Sequence, residues 1–153
     1  MDKAKLRAEL LGQLEQALEA ARSAHAAAIE GATHPEARAE NDKDTRGLEQ
    51  SYLARGQAQR VAELEAGVVN VAKMTIDRMA AVASGALVEV EEAGETTRYF
   101  VAPAGGGSVL AGDVQVITPA SPLGRALAGK RVDDEVELKI AGKTRELAIV
   151  AIR

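Results

Sequence analysis

Three carboxylates fall in line where a helix is expected to begin: Glu36, Glu40 and Asp44 stand at i, i+4 and i+8, with Asn41 and Asp42 beside them. That spacing puts all three on one helical face. Carboxylate oxygens in a row suit a hard cation such as Mg2+, which takes one or two protein carboxylates and completes its shell with waters and phosphate oxygens. They are too few and too open for a dedicated cage, so the metal would have to be shared with a partner's own site. The competing reading is a solvated helix face, its acids complementing the positive end of the helix dipole and its neighbours Arg38, Lys43 and Arg46 supplying counter-charge. Like charges at i, i+4 cost only about 0.2 to 0.5 kcal/mol per pair, too little to decide between the two.

Other chemistry is scarce. The chain has no cysteine, which removes disulfides, thiolate catalysis and Cys-based zinc sites together. His25 and His34 have no accompanying ligand pattern and read as a solvated helix residue and a turn residue. Gly105-Gly106-Gly107 lacks a strand-to-helix phosphate signature and reads as a flexible loop. A formal charge of −4 and 19 Lys and Arg against 23 Asp and Glu argue against wrapping a polyanion. With no run approaching about 18 apolar residues and no secretory pattern at the start, a soluble cytoplasmic protein is the expectation.

The elements that position the carboxylates are helical. From Asp2 to Glu30 there is no proline and only Gly12, and Leu10, Leu14, Ala17, Ala21, Ala24 and Ala28 recur in alternating steps of four and three, a coiled-coil seam. Leu6, Leu11 and Leu18 widen its base. Gly31 is placed to end this helix and Thr33 to cap the next, with Glu36 in a capping-box position and Pro35 in the first turn. A second arm runs from His34 into the sixties, with Ala54, Ala58, Val61 and Val68 as seam residues. Arms of about thirty residues at roughly 1.5 Å each give a hairpin on the order of 40 Å long, whose tip must project into solvent or a partner.

After Gly85 the pattern changes to strands: 86–92 and 96–102 around a turn, 113–117, then 135–140 and 145–152 around Ala141-Gly142-Lys143. Between them Ser121 caps a short helix with Pro122 at its first position. Leu123 and Leu127 are its core side; Ser121, Pro122 and Arg125 are its contact side. The whole is α+β, an antiparallel helical hairpin over residues 1–76, a linker over 77–84 and a small β-sheet domain with one short helix over 85–153.

The run Ser121-Pro122-Leu123-Gly124-Arg125-Ala126-Leu127-Ala128-Gly129-Lys130-Arg131-Val132-Asp133-Asp134-Glu135-Val136 resembles the Gre family of transcription elongation factors, whose FKBP-like domain carries S-P-[LI]-G-[RK]-A-L-x-G-K-x-V-G-D-E-V. Asp133 stands where that family has Gly, so the turn before the next strand is expected to differ in geometry. The order of parts, hairpin then β-rich domain, matches as well. The resemblance implies a factor that inserts its hairpin into the secondary channel of bacterial RNA polymerase, with the β-rich domain gripping a coiled coil at the channel's outer rim. It further implies acidic tip residues that help retain a second Mg2+ for hydrolysis of backtracked RNA, and so indirect contact with nascent RNA.

The family tip reads approximately G-D-x-x-E-N-A-E-Y. Glu40-Asn41 match its Glu-Asn pair, and Glu49-Gln50 and Gly56 continue the match along the second arm. Ala37 stands where the family has Asp; Glu36 lies one residue earlier, and Asp42 and Asp44 replace a small residue and an aromatic. On this resemblance Glu40 with Glu36 or Asp44 would act in trans, Glu40 and Asp42 would touch the shared Mg2+, and Asn41, Ser121, Pro122 and Arg125 would contact the partner. The factor would be a monomer with no cofactor and no turnover of its own. Other readings are a channel occupant that inhibits without cleavage, an FKBP-like prolyl isomerase or chaperone, and a coiled-coil adaptor whose hairpin dimerises.

Overall fold

A computed structural model describes residues 1–33 and 46–153. Two compact units emerge, one of Gln13–Val68 and one in which Met1–Gly12 joins Val69–Arg153.

The first unit is a helical hairpin formed by the longer parts of α1 (Lys3–Thr33) and α2 (Arg46–Lys73). Leu14, Leu18, Ala21 and Ala28 of α1 and Leu64 of α2 are buried, whereas Ala24 and Ala58 are exposed. The seam of α1 thus runs through Leu18, Ala21, half-buried His25 and Ala28, one residue out of phase with the expected Ala17 and Ala24. His25, expected as a solvated residue, is instead half-buried on that seam. Gly31 does not stop α1, which continues to Thr33; one glycine costs about 1 kcal/mol in a helix, and that alone does not terminate it. Arg22 and Glu65 bridge the two helices at 3.3 Å, both half exposed, a contact worth well under about 1 kcal/mol.

The second unit is built on a mixed six-stranded sheet. Its strands are β1 (Leu87–Glu92), β2 (Glu95–Val101), β3 (Val109–Leu110), β4 (Val114–Ile117), β5 (Glu135–Ile140) and β6 (Lys143–Ile152), in the order β3-β4-β2-β1-β6-β5. All neighbours are antiparallel except β2 and β4, where Tyr99, Phe100 and Val101 run parallel to Gln115, Val116 and Ile117. The short helix α3 (Pro122–Leu127) lies between β4 and β5 in sequence.

Strand alternation divides the apolar residues between two faces. Val88, Val90, Tyr99, Val101, Val136, Leu138, Leu147 and Ile149 form one core with Leu127 of α3 and Val82, and Met79, Leu123 and Ala126 pack at its margin. Leu87, Phe100, Val114 and Val116 are buried outside that cluster.

The first turns of α1 are tied to this unit by charged side chains. Lys3 Nζ donates to the carbonyls of Asp77 at 2.7 Å and Gly85 at 3.0 Å, Arg7 Nη1 donates to Met74 O at 3.1 Å, and both carboxylate oxygens of Glu9 accept the Ala111 amide at 3.1 and 3.0 Å. Partial burial lowers the pKa of Lys3, against the raising influence of Asp77.

Gly105, at φ +83, leaves room for Leu10: a Cβ there would lie 2.5 Å from Leu10 Cδ1. The loop read as flexible is in fact a fitted seat. The Ser108 amide donates to Gly105 O and the Gly107 amide to Val116 O, which pin its course.

Candidate functional site

Glu36, Glu40, Asn41, Asp42 and Asp44, expected from the sequence at the hairpin tip, lie outside the described residues, as does Ala37. Among the described residues no group of three or more His, Cys, Asp or Glu is placed to hold a metal ion. Nor is any helix among them long and apolar enough to cross a membrane. The second helix is described from Arg46, and it exposes Leu48, Tyr52 and Leu53, with the Arg55 guanidinium 5.4 Å from the centroid of the Tyr52 ring.

The other candidate residues sit together on α3. Ser121 is its N-cap, with φ −69 and ψ 156; its Oγ accepts the Gly124 amide at 3.0 Å and donates to Thr118 O at 2.7 Å. Pro122 takes the first helical position, where its fixed φ fits and no amide donor is needed. Pro122 and Arg125 are exposed and Ser121 is half-buried, whereas Leu127 is fully buried and Leu123 lies at the margin of the core. The helix therefore has a core side, with Leu127 and Leu123, and an exposed side, with Pro122 and Arg125.

Gly124 was not singled out from the sequence, yet it decides how close α3 can come to the preceding loop. A Cβ on it would stand 1.9 Å from the Thr118 carbonyl oxygen. Past α3 the exposed surface continues through Ala128, Gly129, Lys130, Arg131 and Val132, so Arg125, Lys130 and Arg131 make it basic. Main-chain bonds from the Val82 amide to Lys130 O and from the Gly129 amide to Val82 O hold that segment against residues 81–82.

The turn into β5 is held from both sides. The Arg131 amide donates to Asp134 Oδ2 at 2.8 Å, and the Asp133 amide donates to Ile149 O at 2.8 Å. Asp133 has φ +72, the left-handed region that glycine occupies freely. A glycine could hold this φ without strain, so the aspartate bears a backbone cost here that a glycine would not.

Residues 78–153 match the family model for the carboxyl-terminal domain of the transcription elongation factors GreA and GreB. Through this domain the chain belongs to the Gre family. Transcription elongation factor GreA of Rhodospirillum rubrum is 35% identical over 101 residues, which cover 61% of this chain and 60% of that protein. GreA of Methylococcus capsulatus is 31% identical over 99 residues, covering 61% of each. The match thus spans about three-fifths of the relatives' length. Among solved structures, Gfh1 of Thermus aquaticus is 27% identical and covers 94% of this chain and 91% of its own, with a TM-score of 0.42. GreA factor homolog 1 of Thermus thermophilus is 25% identical over 94% of both chains, with a TM-score of 0.39. The membership rests on the sequence match of the Gre-family domain.

Proposed function

We propose that this chain is a transcription elongation factor that acts on bacterial RNA polymerase through its secondary channel. The observation that carries the reading is the joining of a Gre-family carboxyl-terminal domain to two helices of 31 and 28 residues. At 1.5 Å per residue each arm runs on the order of 40 Å, a reach with no purpose inside a domain this small. The exposed residues of α3, Pro122 and Arg125 with Ser121 at its cap, are the contact to the polymerase rim.

At the far end Glu40, with Glu36 or Asp44, would present carboxylates to the polymerase active site, and Asn41 would contact its wall. A magnesium ion shared between the polymerase and Glu40 and Asp42 would activate water for cleavage of backtracked RNA. The chain's own part is to deliver oxygen ligands; it has no turnover alone and touches nascent RNA only at that shared site. It acts as a monomer in the cytoplasm.

A specific observation favours a second reading, occupation of the channel without cleavage: Ala37 stands where the family's aspartate is expected, and metal ligands tolerate displacements of only about 0.5 Å. Prolyl isomerisation is the weaker alternative, because Tyr99 and Phe100 are both buried and cannot line an open prolyl pocket.

The test is transcript cleavage by a backtracked elongation complex at varied Mg2+, with and without this protein. Stimulated cleavage that collapses in Glu40→Ala while polymerase binding persists supports the first reading. Binding with slowed transcription and no cleavage supports the second. Failure to bind polymerase overturns both.

A further inference from the structure

The sheet ends on one side with β3, only two residues long, and on the other with β5, six residues long with no proline. β5 and β6 are joined by the two-residue turn Ala141-Gly142, both at positive φ, with Ile140 paired to Lys143. Residues flanking a two-residue turn exchange both of their main-chain hydrogen bonds, and this alternates along the ladder. Val136, Leu138 and Ile140 therefore direct their amides and carbonyls to β6, and Glu135, Glu137 and Lys139 direct theirs outward. Among the described residues nothing bonds those outward groups.

An open edge of this length is a template for another strand. The side chains beside it define which strand. Glu137 stands directly opposite Glu146, and Glu135 and Glu91 flank Ala148 from either side, about 10 Å apart at two strand spacings. These four carboxylates line an open groove of about 470 Å³ floored by Ala148. Like charges directly opposite one another in a ladder are unfavourable. Among the described residues the groove's only cationic contact is Lys139, 3.7 Å from Glu137 and highly exposed; Glu91, Glu135 and Glu146 have none. On the other face of the edge, Ile140 is exposed beside buried Leu138 and Val136.

We infer that the β5 edge receives an extended protein segment that reads basic, apolar, basic in alternation. Its main chain continues the sheet through Glu135, Glu137 and Lys139. Its lysine or arginine side chains fall on the groove face against Glu135, Glu137 and Glu146, and its apolar side chains fall beside Leu138 and Ile140. A second copy of this chain is the poorer occupant, because pairing two β5 edges brings two such acidic grooves together. This inference does not depend on the polymerase reading, and its test uses no polymerase.

The full chain is titrated with a Lys-Val-Lys-Val-Lys-Val peptide while amide exchange is followed by NMR. The amides of Glu137 and Lys139 should gain protection, binding should weaken steeply with salt, and Glu137→Lys should lose about tenfold in affinity while keeping the native spectrum. A peptide of the same sequence N-methylated on the amides that face β5 should also bind about tenfold more weakly. Equal binding of the N-methylated peptide would reduce the site to a charged patch and overturn strand addition. So would absent protection of Glu137 and Lys139, or protection of both in the free protein with sedimentation as a dimer.

Discussion

Gly124 and Thr118 approach so closely that the carbonyl oxygen of Thr118 stands 1.9 Å from where any Cβ on residue 124 would be. The obstacle is main chain, and the same Thr118 oxygen accepts the Ser121 hydroxyl, so it cannot simply swing away. Gly124→Ala should therefore destabilise the protein by about 3 kcal/mol, the upper part of the range for overpacking, and lower its Tm by roughly 10 °C. Thermal unfolding followed by circular dichroism checks this; an unchanged Tm would mean that α3 does not pack against the 118 loop.

Ser121→Ala removes one cap and one anchor together. Losing the Oγ that accepts the Gly124 amide should cost about 1 kcal/mol, and Ser121→Asp should restore most of it. Chemical denaturation midpoints of the two variants measure the effect, and equal loss in both would assign the role to the bond with Thr118.

Asp133→Gly should stabilise the chain. The left-handed backbone at φ +72 costs a non-glycine residue about 1 kcal/mol, whereas the bond from its amide to Ile149 O survives the substitution. A rise in Tm of roughly 2 to 4 °C is the expected result, and a fall would show that the aspartate side chain contributes more than its strain costs.

The Glu92 carboxylate takes three hydrogen bonds from the Arg145 guanidinium, at 2.6 to 3.0 Å, and these bonds hold its pKa below the ordinary glutamate value. A depressed carboxylate pKa means that the pair contributes stability above the ordinary pKa and loses it as pH falls through the lowered value in the folded state. Thermal scans across acid pH should find the difference between the native chain and Arg145→Met largest near neutrality and shrinking below the usual glutamate range. A gap that stays constant with pH would remove the pair as its source.

Arg125→Ala separates contact from structure. Arg125 is exposed on α3, so its loss should change stability by less than about 0.5 kcal/mol while weakening association with bacterial RNA polymerase. Fluorescence-detected binding to core polymerase is the measurement, and unchanged affinity would move the contact off α3.

Local chemistry made much of this protein legible in one dimension. Ser121 followed by Pro122 declares a helix start whatever surrounds it, and Ala141-Gly142 between two alternating runs declares a hairpin, because both signals depend only on backbone preferences of adjacent residues. The 135–140 strand has the bounds its alternation implied, and the family motif around Leu123 and Leu127 marked the domain.

What the linear order could not contain was decided by packing between distant residues. Heptad spacing put the seam of α1 through Ala17 and Ala24, and the buried positions move it by one residue to Leu18 and His25. The parallel pairing of β2 with β4, the seat that Gly105 makes for Leu10, and the clearance that Gly124 gives to Thr118 join residues whose types say nothing about each other. The Ser121 cap and the Ala141-Gly142 turn are chosen by neighbours along the chain, so sequence alone determined them, whereas the helix end expected at Gly31 was overridden. Face, register and closest approach minimise the free energy of the assembled core, and they take a value only when the whole chain has folded.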